Sequence, residues 1–245
     1  MKDNFSIQAK KYSKYRPDYS YRIIDYIVSK VLVKHSVLDV ATGNGQVANK
    51  LADYFEDVFA TDISTEQLKN AIKKENIVYK QERAENTSFN DNQFDLITVA
   101  QAIHWFDFEI FYKEVTRLLK PTGTLVVMGY GQFSTNLDSD KLINHLHKNI
   151  LGSYWDEERK YVDENYETIP FPFEEIKTDE FVDEFTWSFD HLLGYIDSWS
   201  ATQHYIKKNG SNPVNLIKEE LKESWNNNDK KVTFPLLLRI GKMKK

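Results

Sequence analysis

An α/β fold, a doubly wound and mostly parallel sheet with helices on both faces, is what the sequence predicts, on three observations. From Ser36 to about Tyr130, short apolar runs alternate with polar helical patterns, the rhythm of successive strand–helix units in a parallel sheet. The first of those runs, "SVLDVA", ends in the glycine-spaced turn "TGNG" and opens a helix, as a ligand-holding strand end does. At 245 residues with 41% hydrophobic content, the chain can bury one substantial core rather than two equal ones.

The elements follow in order. Up to about Val33 the chain reads as one or two helices lying before the sheet. Strands are expected at Ser36–Ala41, Val58–Asp62, Ile77–Gln81, Phe94–Ala100 and Gly123–Tyr130. Gly45–Phe55 and Ser64–Lys74 carry apolar residues at helical spacing, and Ser64 with Gln67 makes a capping box. Phe108–Gly123 reads as a helix ended by Pro121 and Gly123. Beyond Tyr130 the chain is aromatic and less regular, from "YWDEERKYVDENYETIPFPFEEI" through "DSWSATQHY", and "KVTFPLLLRIGKM" closes it as a strand.

Composition narrows the function classes. A net charge of -5 argues against a nucleic-acid partner, which needs a concentrated basic face. The absence of cysteine removes disulfides, thiolate nucleophiles and cysteine-ligated zinc. No apolar run has signal-peptide or membrane-spanning length, so a cytoplasmic protein without a membrane partner is expected. His145 and His147 are two apart on an expected helix and face different sides, so no metal is expected. Glu157 and Glu158 have no evident acid–base partner.

The turn after the first strand carries the chemistry. Gly43 and Gly45 let a ligand approach the main chain, and Asp62, at the end of the next strand, suits the two hydroxyls of an adenosine ribose. "GNGQVA" also satisfies the loose dinucleotide pattern, which leaves two cofactors open. Asp39 separates them: its carboxylate would repel a pyrophosphate but attract the ammonium of an amino-acid tail. That favours S-adenosylmethionine over NAD.

Five motifs in order resemble those of class I S-adenosylmethionine-dependent methyltransferases: "LDVATGNGQVA", "FATDIS", "ERAENTSF", "FDLITVAQAIHWF" and "RLLKPTGTLVV". Within them, "FSIQAKKYSKYRPDY", "AQAIHWFD" and the late aromatic segments resemble the type-11 group that includes trans-aconitate-methyltransferase-like proteins. The resemblance implies a Rossmann-like, seven-stranded sheet in a single domain: lid helices over 1–33, a cofactor-binding core over 34–131, an aromatic cap over 132–180 and 191–230, and terminal strands over 181–190 and 231–245. It places Tyr12, Arg16, Asp39, Ala41, Thr42, Gly43, Asn44, Gly45, Gln46, Asp62, Ile63, Ala84, Glu85, Ala100, Gln101, Ala102 and Trp105 around the cofactor. Two departures stand out: Ala41 occupies a position where many members have glycine, and Arg83 precedes Ala84 where an acidic residue often meets the adenine.

The expected reaction is methyl transfer to a small molecule, with O-methylation of a small organic acid carboxylate as one form of it. An ionised carboxylate needs no general base, and Arg16, Arg159 or a protonated His104 could hold the remainder of a polyacid. For a phenol or amine acceptor, His104 is the candidate base. Trp155, Arg159 and Trp199 are the candidate substrate contacts, alongside Tyr161 and His204, with a core role as the plainer reading for each. A monomer or weak homodimer is expected. An NAD-dependent oxidoreductase and a non-catalytic S-adenosylmethionine-binding protein are the alternatives.

Overall fold

The computed structural model describes residues 14–244. Its sheet runs in the order β3-β2-β1-β4-β5-β8, built from β1 (Ser36–Val40), β2 (Asp57–Asp62), β3 (Ile77–Gln81), β4 (Phe94–Ala100), β5 (Leu119–Tyr130) and β8 (Lys231–Lys242). The far edge of β8 is shared by two short strands: β6 (Glu174–Ile176) pairs with its residues 240–242, and β7 (Phe181–Thr186) with its residues 231–236. Seven sheet positions were expected and seven are filled, the last by two pieces. Among the described strands, β8 runs against its neighbours while β1 to β5 are parallel.

Alternation along the central strands sends side chains to opposite faces. Val37, Leu96 and Val126 join one buried cluster with α1 (Tyr21–Ser29) and α2 (Gln46–Leu51). Leu38, Ile97 and Val127 join the other, against α4 (Phe108–Leu118). All five residues of β1 are buried, as a strand covered on both faces requires. The cap consists of α5 (Leu137–His145), α6 (Arg159–Asp163), α7 (Phe189–Asp197), α8 (Ser200–Asn209) and α9 (Lys218–Asn226).

Several boundaries move. α4 stops at Leu118, not Gly123, and the chain turns directly into β5, with Leu119 at ψ 137°. Pro121 disfavours the helical region for the residue before it and cannot donate to a helical ladder, so "LKPTG" enters the sheet with a register shift opposite Phe94 and Leu96. α2 ends at Leu51, and Asp53 and Tyr54 close tight turns on Lys50 and Leu51. α3 (Thr65–Lys69) is also short, and one arm of the expected capping box is present, Ser64 Oγ accepting from Gln67 N at 3.3 Å, while Ser64 N donates to Asp62 Oδ1. The strand expected over 181–190 gives way at Ser188, whose hydroxyl accepts from His191 N and starts α7. Ahead of α1, whose Ile23, Ile24, Ile27 and Val28 are buried in the core, the segment from Arg16 to Tyr19 runs to the sheet's carboxyl edge. Tyr19 there stacks on Tyr130 at 4.7 Å.

Gly45 shows how tightly the turn is seated. Its φ is +82°, and an added Cβ would lie 2.2 Å from Tyr79 Oη, which itself donates to Ile72 O. Gly45→Ala is expected to destabilise the fold by about 2–4 kcal/mol, and Tyr79→Phe in the same chain to restore part of that loss. Urea melts of the parent and the two variants check it; a fully stable Gly45→Ala contradicts the close packing.

Candidate functional site

β1 and β4 are adjacent strands from which the chain departs in opposite directions across the sheet, and a crevice opens where such strands end. Both strands end on a left-handed residue, Ala41 at φ 54° and Gln101 at φ 54°, a conformation that costs a residue bearing Cβ about 1–2 kcal/mol. The glycine usual at the Ala41 position in the resembling family is thus a conformational preference that this chain meets with strain.

Asp62 ties the crevice together. Its Oδ2 accepts from Gly43 N at 2.9 Å and its Oδ1 from Ser64 N at 2.8 Å, fixing the β1 turn to the start of α3. Gly43, at φ +59°, has nothing within 4 Å of where a Cβ would point, so its backbone faces open space that a ligand can fill. Asp39 lies at the floor, 1% exposed, accepting from Thr42 Oγ1 at 2.5 Å and Thr98 Oγ1 at 2.7 Å. Burial pushes its carboxyl up to about 6, against the hydroxyl bonds that pull it down.

A cleft results where these strands end. Arg16, Asp39, Ala41, Thr42, Gly43, Asn44 and Gln46 line it from one side, and Asp62, Ile63, Ala100, Gln101, Ala102 and Trp105 from the other. Tyr12 lies outside the described residues. Gly45 is set behind the lining, against Tyr79. Ala84 and Glu85 do not line the cleft either: Ala84 is 4% exposed in the core, and a Glu85 oxygen accepts from Asp107 N at 3.4 Å. The resemblance placed them near the adenine, but here their loop packs toward α4, with Thr87 on Glu114 and Glu85 on Asp107 N. Tyr19, Val47 and Tyr130 line the cleft without having been singled out. Tyr130 had a signal in its place at the carboxyl end of a central strand, and Tyr19 in the stretch "FSIQAKKYSKYRPDY", which it closes.

A smaller cavity adjoins it, sharing Arg16, Gln101 and Trp105. His104, Trp155 and Arg159 meet here, joined by Asp156, Val162 and Ser200. Arg159 lies over the Trp155 ring at 4.7 Å, with its Nε on Asp163 at 2.8 Å. Arg16 donates to Ser198 O at 3.2 Å and covers the Tyr195 ring. Trp199 does not reach the cavity: it is 4% exposed and packs among Phe133, Trp155 and Tyr195, because its place at the start of α8 turns the indole into the cap's core. Tyr161 packs on Phe108, and His204 Nδ1 bonds Tyr154 O at 2.9 Å.

His104 requires a correction. It is 7% exposed, its Nδ1 sits 3.2 Å from Tyr166 Oη, and burial, with Arg159 and Arg16 nearby, pulls it down to about 3. Near neutral pH it is uncharged, so it is a hydrogen-bonding group and not the cation considered for a polyacid. His147, its ring tilted against Trp155 at 4.6 Å and 6% exposed, is likewise pulled down by burial, to about 4.

The pH dependence of stability follows from these signs. Both histidines fold neutral, so their contribution is whole above pH 6.5 and lost as pH falls towards 4 and 3. Asp39, raised to about 6, acts oppositely and returns part of the loss. Going from pH 7 to pH 5, the three together are expected to lower stability by about 2 kcal/mol. Denaturant melts at the two pH values measure it, and equal midpoints would contradict the buried neutral imidazoles.

Comparison with known proteins agrees with this geometry. Residues 38–127 match the family model described as "Methyltransferase domain". A Dictyostelium discoideum protein named as a methyltransferase is 32% identical over 249 residues, covering 98% of this chain and 95% of its own. The solved structure of a type II methyltransferase from Anaeromyxobacter dehalogenans superposes with a TM-score of 0.85 at 30% identity, covering 93% of this chain and 98% of that one. A Haemonchus contortus phosphoethanolamine N-methyltransferase, solved with S-adenosyl-L-methionine, shares the fold at a TM-score of 0.51 and 16% identity, covering 98% of this chain and 57% of that one. With a relative matched over nearly the full length of both chains, and a crevice framed by the first two strand ends, this chain belongs to the class I S-adenosylmethionine-dependent methyltransferases.

Proposed function

We propose that the chain methylates a carboxylate of a small organic acid held in the smaller cavity. The observation that carries this reading is the pair of guanidinium groups, Arg16 and Arg159, on a cavity that opens into the cofactor cleft through Gln101 and Trp105. Planar cationic forks suit carboxylates.

The residues of the larger cleft fit S-adenosylmethionine. The bare backbone at Gly43 gives room against the main chain, and the buried Asp39 at the floor, whose charged form burial disfavours, gains from a cationic neighbour. In this placement Asp62 serves the ribose, Asp39 and Gly43 receive the amino-acid tail, and Trp105 walls the methyl group off from water. When bound, the cofactor supplies an electrophilic methyl and a thioether leaving group. An ionised carboxylate attacks it without losing a proton, so this site needs no base, in keeping with a His104 that is a weak one. Arg159 and Arg16 orient the acid, and proximity supplies most of the rate.

Radiolabelled methyl transfer over a panel of succinate, citrate, tricarballylate, trans-aconitate, benzoate, catechol and ethanolamine tests the reading. The expected result is base-labile ester on an acid, with kcat flat between pH 7 and 9, and a loss of about 100-fold in kcat/KM in Arg159→Met. Transfer to catechol or ethanolamine alone, rising with pH, overturns it.

A further inference from the structure

Tyr166 is a bulky residue in the left-handed region, φ 62°, directly after Asn165 at φ 53°. For a side chain of this size that backbone is an outlier, and such strain persists where surrounding contacts over-determine it. Three contacts do so here. Tyr166 N closes on Tyr161 O at 2.7 Å at the exit of α6. From β8, Arg239 donates one nitrogen to Tyr166 O at 3.0 Å and Ile169 O at 2.7 Å, while its other two engage both oxygens of Glu175 at 2.7 and 2.8 Å. Gly129 of β5 is bare where the phenol lies: a Cβ there would stand 2.9 Å from Tyr166 Oη. All three deliver a fully buried phenol to one place, 3.2 Å from His104 Nδ1.

We propose that Tyr166, clamped by Arg239 and Glu175, is the positioning residue of the acceptor site, fixing the tautomer and ring orientation with which His104 presents Nε2 to the acceptor. The proposal rests on the reading that the smaller cavity holds the acceptor. The link is physical: a neutral imidazole presents one donor and one acceptor, and the bond made at one nitrogen decides what the other offers. Tyr166 follows α6, which contributes Arg159 and Val162 to the same cavity, so one strained turn holds the hydrogen-bonding group and the cation in register. The clamp lies outside the cavity, on the strand that pairs with β6.

The test is Tyr166→Phe, which keeps the ring and removes only Oη. With the acid from the panel that turns over fastest, kcat is expected to fall about 10-fold with S-adenosylhomocysteine affinity within two-fold of the parent. Nitrogen-15 spectra of the protein saturated with S-adenosylhomocysteine are expected to show His104 as one tautomer in the parent and as a mixture in the variant. Arg239→Gln, which removes the clamp without touching His104, is expected to move both readouts the same way by about three-fold, and it serves if Tyr166→Phe does not fold. An unchanged tautomer, or kcat within two-fold in the folded variant, overturns the proposal. His104→Ala separates the two readings: if it leaves transfer unchanged, the acceptor site itself is misplaced; if it impairs transfer while Tyr166→Phe does not, the positioning role alone is wrong.

Discussion

Asp62→Ala is expected to weaken S-adenosylhomocysteine binding by about 100-fold or more while the protein remains folded. One carboxylate holds two backbone amides that belong to different elements, Gly43 N on the β1 turn and Ser64 N at the head of α3. Hydrogen bonds to a charged acceptor contribute about 1.5–3 kcal/mol each, and in the proposed placement the same oxygens also receive the ribose hydroxyls through their remaining lone pairs. Removing them frees both walls of the cleft and deletes the sugar contact at once. Isothermal titration checks it: a loss smaller than five-fold would show that the ligand does not depend on the Asp62 corner. Asp62→Asn, which can still accept through one oxygen, should fall between the two.

The second large effect has opposite signs on stability and on binding. Burial raises Asp39 to about 6, so the ligand-free fold favours its neutral form and loses stability as pH climbs from 3.8 through 6. That loss amounts to roughly 3 kcal/mol at pH 8, from a shift of about two units. Asp39→Asn removes it, and the hydroxyls of Thr42 and Thr98 can rotate to pair with an amide. The variant is therefore expected to be more stable than the parent at pH 8 and no more stable at pH 4. Its affinity for S-adenosylhomocysteine should fall about 100-fold, since in the proposed placement the buried anion receives the ligand's ammonium. Thermal melts at both pH values with and without ligand measure the two effects; a variant that is less stable at pH 8, or that binds as tightly, would sink the role assigned to Asp39.

Much of the cofactor cleft was legible because it is built from strand ends. A run such as Phe94–Ala100 declares itself by composition, and the residues just past it, Gln101 and Ala102, then lie at the carboxyl edge. The Ser64–Gln67 cap was likewise readable, since its partners are three residues apart. The acceptor side was less so. Trp155 and Trp199 look alike in sequence, both in aromatic stretches of the cap, yet one lines the cavity and the other fills the core. His104 is readable as a site histidine, but its lack of charge depends on burial and on two arginines, one 88 residues ahead and one 55 behind it.

Taken by itself, the sequence determined the strands along the chain and the glycine turn with its two acidic residues, because turn chemistry and hydrophobic periodicity are set by neighbours a few residues away, while Asp39 and the resemblance of five motifs pointed to the cofactor class. Tertiary structure alone decided that Ala84 and Glu85 stand back from the cleft, that Tyr19 and Tyr130 stack at its rim, and that Tyr166 reaches His104 across 62 residues of chain. Contacts of that range depend on how helices and loops pack over the sheet, and no local pattern in the chain records where a side chain will point once they do.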